Sequence, residues 1–288
     1  MTADPVFTNY WNQATPENAG KHGLVEEPRD AYMWGTLDEM YAYCQANNLP
    51  FKQHTFLFWC CGADPDWLAT LPAADIRAEL EEFMIDFFAR YPKTAYVEVV
   101  NEPFQSPPPA AIRNALGGDT NYAWVRWMYQ KARQYAPSDC ELWINENNIL
   151  KGGSRVTSYK NLINFLKTDG TIDAVGMQGH WLESVSASTI QNTLNQMDDL
   201  NLPLYITEYD VHVADDNAQR DVWAAQFPVF WEHPAVKGVT LWGYKQGQMW
   251  RSNGYLLRTD GSERPSMTWL RNYLNPPGAT LTIQAEIT

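Results

Sequence analysis

Two glutamates stand where an apolar run gives way to polar residues. Val97-Glu98-Val99-Val100 leads directly into Asn101-Glu102-Pro103, and Leu204-Tyr205-Ile206-Thr207 leads into Glu208-Tyr209-Asp210. A glycosidic bond breaks when a proton reaches the leaving oxygen while a second carboxylate stabilises or traps the cationic sugar, so carboxyls from two separate strands suit that reaction. A lone glutamate at a strand end commonly caps the next helix or joins an ion pair. Two such sites, one after Asn101 and one inside Thr207-Glu208-Tyr209-Asp210, shift the balance towards chemistry. Two of the five histidines also fall near strand ends, His54 in Lys52-Gln53-His54-Thr55 and His180 in Met177-Gln178-Gly179-His180-Trp181. Either alone reads as a hydrogen-bonded structural residue; beside the carboxylates they read as contacts to substrate hydroxyls and as tuning groups.

Groups from distant parts of the chain meet only if a scaffold carries them to one place, and the chain alternates strand-like and helix-like runs throughout. Apolar runs at 51–58, 95–100, 141–145, 172–177, 204–207 and 238–242, with a weaker one at 10–14, predict strands. Amphipathic stretches at 36–45, 73–90, 122–135, 154–167, 186–200, 217–230 and 265–273 predict helices, with Ser186 as an N-terminal cap and Pro92, Pro137 and Pro234 as stops. No Gly-rich phosphate turn follows any strand, so the repeats predict an α/β fold of the (β/α)8 TIM-barrel type rather than a doubly wound sheet. In such a barrel the active groups lie at the C-terminal ends of the strands, where these glutamates are.

A closed barrel of this type has eight strands, and the predicted count is one short at the N-terminus. Residues 1–275 read as one catalytic domain, up to the break at Asn275-Pro276-Pro277-Gly278. Beyond it, Leu281, Ile283 and Ile287 alternate with Thr282, Gln284 and Glu286. Residues 276–288 are therefore either a linker or a strand filling the vacant first position, in the same or a neighbouring molecule. That leaves a monomer or a strand-exchanged oligomer as the expected state.

Composition narrows the partners. A net charge of −13 with no Lys/Arg cluster disfavours nucleic acid. The sequence has no apolar run long enough to span a membrane and no signal-peptide pattern at its start, so a soluble chain is expected, secreted with its export signal absent. The 14% of Phe, Trp and Tyr exceeds what packing requires and points to a surface that meets flat apolar faces, such as those of sugar rings. The four cysteines, at 44, 60, 61 and 140, lack zinc-site spacing, so neither metal nor cofactor is expected. Adjacent Cys60 and Cys61 read as small apolar residues near a strand end rather than as a bonded pair.

The whole pattern resembles family 10 of the glycoside hydrolases, whose members are mainly xylanases. Five segments carry the resemblance, in family order: Thr15-Pro16-Glu17-Asn18 with Lys21, Val100-Asn101-Glu102-Pro103, Gly176-Met177-Gln178-Gly179-His180, Ile206-Thr207-Glu208-Tyr209-Asp210, and Gly238-Val239-Thr240-Leu241-Trp242-Gly243 followed by Met249-Trp250-Arg251. It implies a retaining endo-β-1,4-xylanase acting on xylan and xylo-oligosaccharides, with Glu102 as acid/base, Glu208 as nucleophile, Asn101 near the sugar 2-hydroxyl, and His180 bonding the nucleophile with support from Asp210. It further implies that Glu17, Asn18, Lys21, His54 and Gln178 bind sugar hydroxyls and that Trp59, Trp242 and Trp250 wall the pocket. Retention sets the two carboxyls roughly 5 to 5.5 Å apart. The chain departs from the family pattern in the opening strand and helix, which it does not show, and in three further places. After His54-Thr55 one residue reads as inserted, with Cys60 in place of a second histidine; His22 replaces a tryptophan; and Ile144-Asn145-Glu146-Asn147-Asn148 lacks the usual Asp-Tyr. The alternatives are a β-1,4-glucanase on the same barrel and a catalytically silent xylan-binding barrel.

Overall fold

Six parallel strands hydrogen-bond in chain order in the computed structural model, which describes residues 6–62 and 64–275: β1 (Lys52–Leu57), β2 (Tyr96–Asn101), β3 (Glu141–Glu146), β4 (Ala174–Met177), β5 (Leu204–Tyr209) and β6 (Val236–Leu241). The helices are α1 (His22–Val25), α2 (Gly35–Ala46), α3 (Ala73–Arg90), α4 (Ala110–Ala115), α5 (Ala123–Tyr135), α6 (Ser154–Thr168), α7 (Ala187–Met197), α8 (Asp216–Trp231) and α9 (Pro265–Leu274). Each strand from β1 to β5 is followed by at least one helix that returns the chain to the start of the next, as parallel pairing requires, and α9 follows β6. The seven predicted helices form close to their expected bounds. The short α1 and α4 lack enough turns to register as a periodic pattern and were not anticipated.

Parallel strands are stable when both faces are covered, and β1 is buried at every position. Helix α3 shows how the outer layer docks: Ile76, Leu80, Phe83, Met84 and Phe87 recur at helical spacing and are buried, and Phe83 and Phe87 meet Phe56 of β1 edge-on. Ser186 caps α7 as expected, its Oγ accepting the Thr189 N–H at 3.1 Å.

The inward faces of the strands stack in layers. At the bottom Tyr96, Trp143 and Tyr205 form an aromatic floor, with Trp143 and Tyr205 stacked at 3.8 Å between ring centroids. Above it lie Lys52 and Glu98, then His54, Asn145 and Thr207, and at the rim Glu102 and Glu208.

The expected strand at 10–14 is reduced to one parallel bridge, Ala14 to Phe51. Among the described residues nothing pairs with the outer edge of β6, and that strand is only partly covered along its length, unlike β1 to β5. Phe7 and Trp11 reach across this side of the barrel to the ring of Tyr244, just beyond β6. The alternating segment 280–287 lies outside the described residues.

The reading of Cys60 and Cys61 is corrected: their sulfurs are bonded to each other. Strand β1 stops at Leu57, so the pair sits in a partly exposed loop rather than in a strand, with Cys61 in the left-handed region at φ 68°. Without burial, the apolar character on which the reading rested does not apply.

Candidate active site

Glu102 follows the last residue of β2, and the chain turns there: its φ is +53°, a left-handed conformation that is unfavourable for a side chain with a Cβ. Its backbone N–H donates to the Asn145 carbonyl at 2.9 Å, which ties the turn to the end of β3. Among the described residues the donors to its carboxylate are neutral, Gln178 Nε2 to Oε1 at 2.9 Å and Ser106 Oγ to Oε2 at 2.8 Å.

Glu208, near the end of β5, is held differently. Asn145 Nδ2 donates to its Oε1 at 2.7 Å and His180 Nε2 lies 3.1 Å from its Oε2. Asn101 links the two carboxylates, because its Oδ1 accepts from Asn145 Nδ2 at 3.0 Å and from Gln178 Nε2 at 3.2 Å. Each amide therefore touches Asn101 and one glutamate. Glu102 and Glu208 retain 8% and 4% exposure whereas Glu98 below them retains none, so the upper two are open to a ligand and the lower one is not.

The charges around Glu208 keep it in an ionic cage. His180 has Nδ1 2.9 Å from Asp210 Oδ2, an ionic contact whose N–H is poorly aligned for a hydrogen bond. Burial opposes charge on His180, but the contacts with Asp210 and Glu208 outweigh it and raise its pKa to about 9. Burial likewise opposes charge on Asp210, and the neighbouring His180 and Arg251 still hold its pKa below the usual carboxylate value. Arg251 Nη1 donates to Asp210 Oδ1 at 2.6 Å and Trp250 Nε1 donates to Oδ2 at 2.8 Å.

Across the cleft, the Lys21 ammonium donates to Asn18 Oδ1 at 2.9 Å; burial lowers its pKa, and Glu208, Glu17 and Glu102 oppose that shift. Desolvation raises the pKa of Glu17, against the pull of Lys21. His54 contacts Glu98 through Nδ1, and Lys52 Nζ donates to the other Glu98 oxygen at 2.7 Å. One ligand-capable atom from each of His54, Glu98 and Glu208 lies within 4.8 Å of the others, although Lys52 already supplies a positive charge at Glu98. The Trp242 ring lies 5.1 Å from that of His54 and 6.3 Å from that of His180, and the Trp250 ring lies 4.8 Å from His180. Trp250 is 48% exposed and so can offer a face to a ligand.

Asn101, Glu102, Gln178, Glu208 and His180 thus converge in one group hydrogen-bonded through Asn145, with Asp210 joined to it by the ionic contact with His180, and Lys21, Asn18, Glu17, His54, Trp242 and Trp250 flank it. Trp59 sits in the loop after β1, partly buried against the core. Phe58, which sequence reasoning passed over, takes the position beside the cleft: Lys21 Nζ is 5.4 Å from its ring centre, and the His54 ring is 6.3 Å away. Asn145 was also missed as a functional residue, although the strand-end rule that found Glu102 applies to it equally. Lys52 and Glu98 gave no signal, since their pairing depends on the barrel bringing β1 beside β2.

Two carboxylates, one held by neutral donors and one by a cation, can deliver a proton on one side of a bound group and offer a nucleophile on the other. The profile of Glycosyl hydrolase family 10 matches residues 2–273 of this chain. Endo-1,4-beta-xylanase B of Cellvibrio japonicus is 40% identical over 273 residues, which is 93% of this chain and 44% of that protein. Anti-sigma-I factor RsgI6 of Acetivibrio thermocellus is 25% identical over 246 residues, 84% of this chain and 31% of that protein. The chain spans less than half the length of these curated relatives. A solved structure described as GH10 from Paenibacillus barcinonensis superposes with a TM-score of 0.84 at 22% identity, over 98% of this chain and 93% of that one, a likeness of fold.

Proposed function

Because the chain belongs to Glycosyl hydrolase family 10 and its fold is the (β/α)8 barrel, we propose that it hydrolyses internal β-1,4-xylosidic bonds of xylan with retention of configuration, with Glu102 as acid/base and Glu208 as nucleophile. The observation that carries this reading is the unequal treatment of the two glutamates around Asn101. The Glu208 carboxylate lies against the His180 imidazole and accepts from the Asn145 amide, whereas the Glu102 carboxylate accepts from the Gln178 amide and the Ser106 hydroxyl, so one glutamate has a cationic partner and the other has neutral ones.

In the first step protonated Glu102 gives its proton to the glycosidic oxygen as that bond breaks, and a Glu208 oxygen bonds to the anomeric carbon. Glu102 is left as a carboxylate, ready to accept a proton. In the second step Glu102 takes a proton from water, the water oxygen bonds to the anomeric carbon and Glu208 leaves as carboxylate. Inversion at each step leaves net retention. On this reading the carboxyl separation is roughly 5 to 5.5 Å.

Glu17, Asn18, Lys21, His54 and Gln178 would bind sugar hydroxyls, and Phe58, Trp59, Trp242 and Trp250 would wall the cleft. Xylose lacks the hydroxymethyl group of glucose, so these rings can exclude cellulose by bulk. Xylan is too large to cross a membrane, which supports action outside the cell; among the described residues no helix is long and apolar enough to span one. The alternating segment 280–287 is proposed as the strand that pairs with the open edge of β6.

Chromatography of the products from linear xylan tests the activity. Short xylo-oligosaccharides, first released as the β-anomer by NMR, are expected. Faster cleavage of soluble cellulose would support a glucanase instead. Xylan binding with equal absence of turnover in wild type and Glu208→Ala would support a silent binder.

A further inference from the structure

Glu146 ends β3 with no exposure to solvent, and no step of the proposed reaction uses it. A carboxylate is buried at a cost unless something holds it. Its Oε2 accepts the Phe104 N–H at 2.8 Å and its Oε1 accepts the Asn147 N–H at 2.8 Å. Arg155, on α6, places Nη1 3.6 Å from Glu146 Oε1 and donates from the same nitrogen to Gln105 Oε1 at 2.8 Å.

These partners are not scattered. Phe104 and Gln105 follow Glu102 in the turn whose left-handed φ aims the Glu102 side chain, and the Glu102 N–H is itself bound to the carbonyl of Asn145, the residue before Glu146. The end of β3 therefore grips the turn at Glu102 and again at Phe104. The charged groups facing Glu146 are Glu102 across the turn, of like sign, and Arg155 from α6, of opposite sign. Burial raises the Glu146 pKa to about 7 despite its two backbone donors.

We infer that Glu146, tied to Arg155, is a positioning residue for Glu102: it clamps the 102–106 turn to β3 so that the acid proton points at the leaving oxygen. The inference rests on the assignment of Glu102 as acid/base. A misaimed acid slows only the bonds that need protonation, since a leaving group that departs as a stable anion needs none.

The test is the leaving-group dependence of kcat/KM, which reports the glycosylation step, using phenyl and 2,4-dinitrophenyl β-xylobiosides. Glu102→Ala serves as the reference and should depress the phenyl substrate far more than the dinitrophenyl one. If it depresses both equally, the acid/base assignment itself fails. With that reference in place, Glu146→Gln, which keeps the volume but puts an N–H against a backbone N–H, should lower kcat/KM for the phenyl substrate about 10-fold and for the dinitrophenyl substrate less than about 2-fold. Equal loss on both substrates, or no loss, overturns the inference. Arg155→Met gives a second arm that does not disturb the core, because the Arg155 side chain is 32% exposed. A smaller loss of the same selectivity is expected. If circular dichroism shows Glu146→Gln unfolded, this arm decides alone, and an unselective or absent effect overturns the inference.

Discussion

At the residue scale the two central glutamates differ in what surrounds them, and that difference predicts how their removal will differ. Loss of the nucleophile abolishes both steps, so Glu208→Ala should leave no turnover of any xylosidic substrate. Loss of the acid/base leaves activated aryl xylosides able to form the glycosyl-enzyme, so Glu102→Ala should show a burst of released phenol followed by slow turnover, and azide should accelerate that turnover. Stopped-flow release of dinitrophenol checks both; a burst from the Glu208 variant would reverse the roles. His180 adds a pH prediction. Its pKa is raised to about 9 from an ordinary 6.5, so the folded protein binds its proton more tightly than the unfolded chain does. The resulting stability is fully present below about pH 6.5 and is lost as pH rises through about 9, on the order of 3 kcal/mol in all. Urea unfolding of wild type and His180→Asn at pH 6 and 9.5 should show the variant losing less stability across that interval. Equal losses would count against an imidazolium held by Asp210 and Glu208.

At the scale of elements, the active groups depend on how closely the strands approach one another. Gly176 in β4 is such a point: a Cβ there would lie 2.7 Å from Thr207 Cγ2 and 2.9 Å from both Asn145 Oδ1 and the Ile144 carbonyl. Thr207 Oγ1 donates to that same Asn145 Oδ1 at 2.5 Å, which orients the amide so that Nδ2 faces Asn101 and Glu208. Gly176→Ala is therefore expected to cost about 1–3 kcal/mol of stability and, by displacing Asn145, to lower kcat on xylan as well. Chemical denaturation with steady-state kinetics checks this, and a stable variant with unchanged kcat would show that the strands can part without consequence. The six strands and the seven longer helices were legible because each follows a run of the right period, down to the Ser186 cap, whereas the short α1 and α4 were not. The weak run at 10–14 failed as a strand because among the described residues only Ala14 finds a partner, at Phe51.

At the scale of the whole molecule, the remaining prediction concerns closure of the barrel. If residues 280–287 pair with β6, removing everything after Asn275 exposes that strand edge and should lower Tm by several degrees, the shift expected of about 1–2 kcal/mol in a chain of this size. An unchanged Tm would assign the segment to a linker, and a dimer that turns monomeric on truncation would mean that the strand is exchanged between copies. The sequence by itself determined the order of βα units, the strand ends where chemistry belongs and the candidate glutamates, because hydrophobic period and strand-end polarity are local properties of the chain. It could not determine that Cys60 bonds Cys61, that Phe58 meets Lys21, that Lys52 and Glu98 neutralise each other inside the barrel, or that Glu146 holds the turn after Glu102. Those contacts depend on the path of a loop or on the register between neighbouring strands, and only the folded chain sets either.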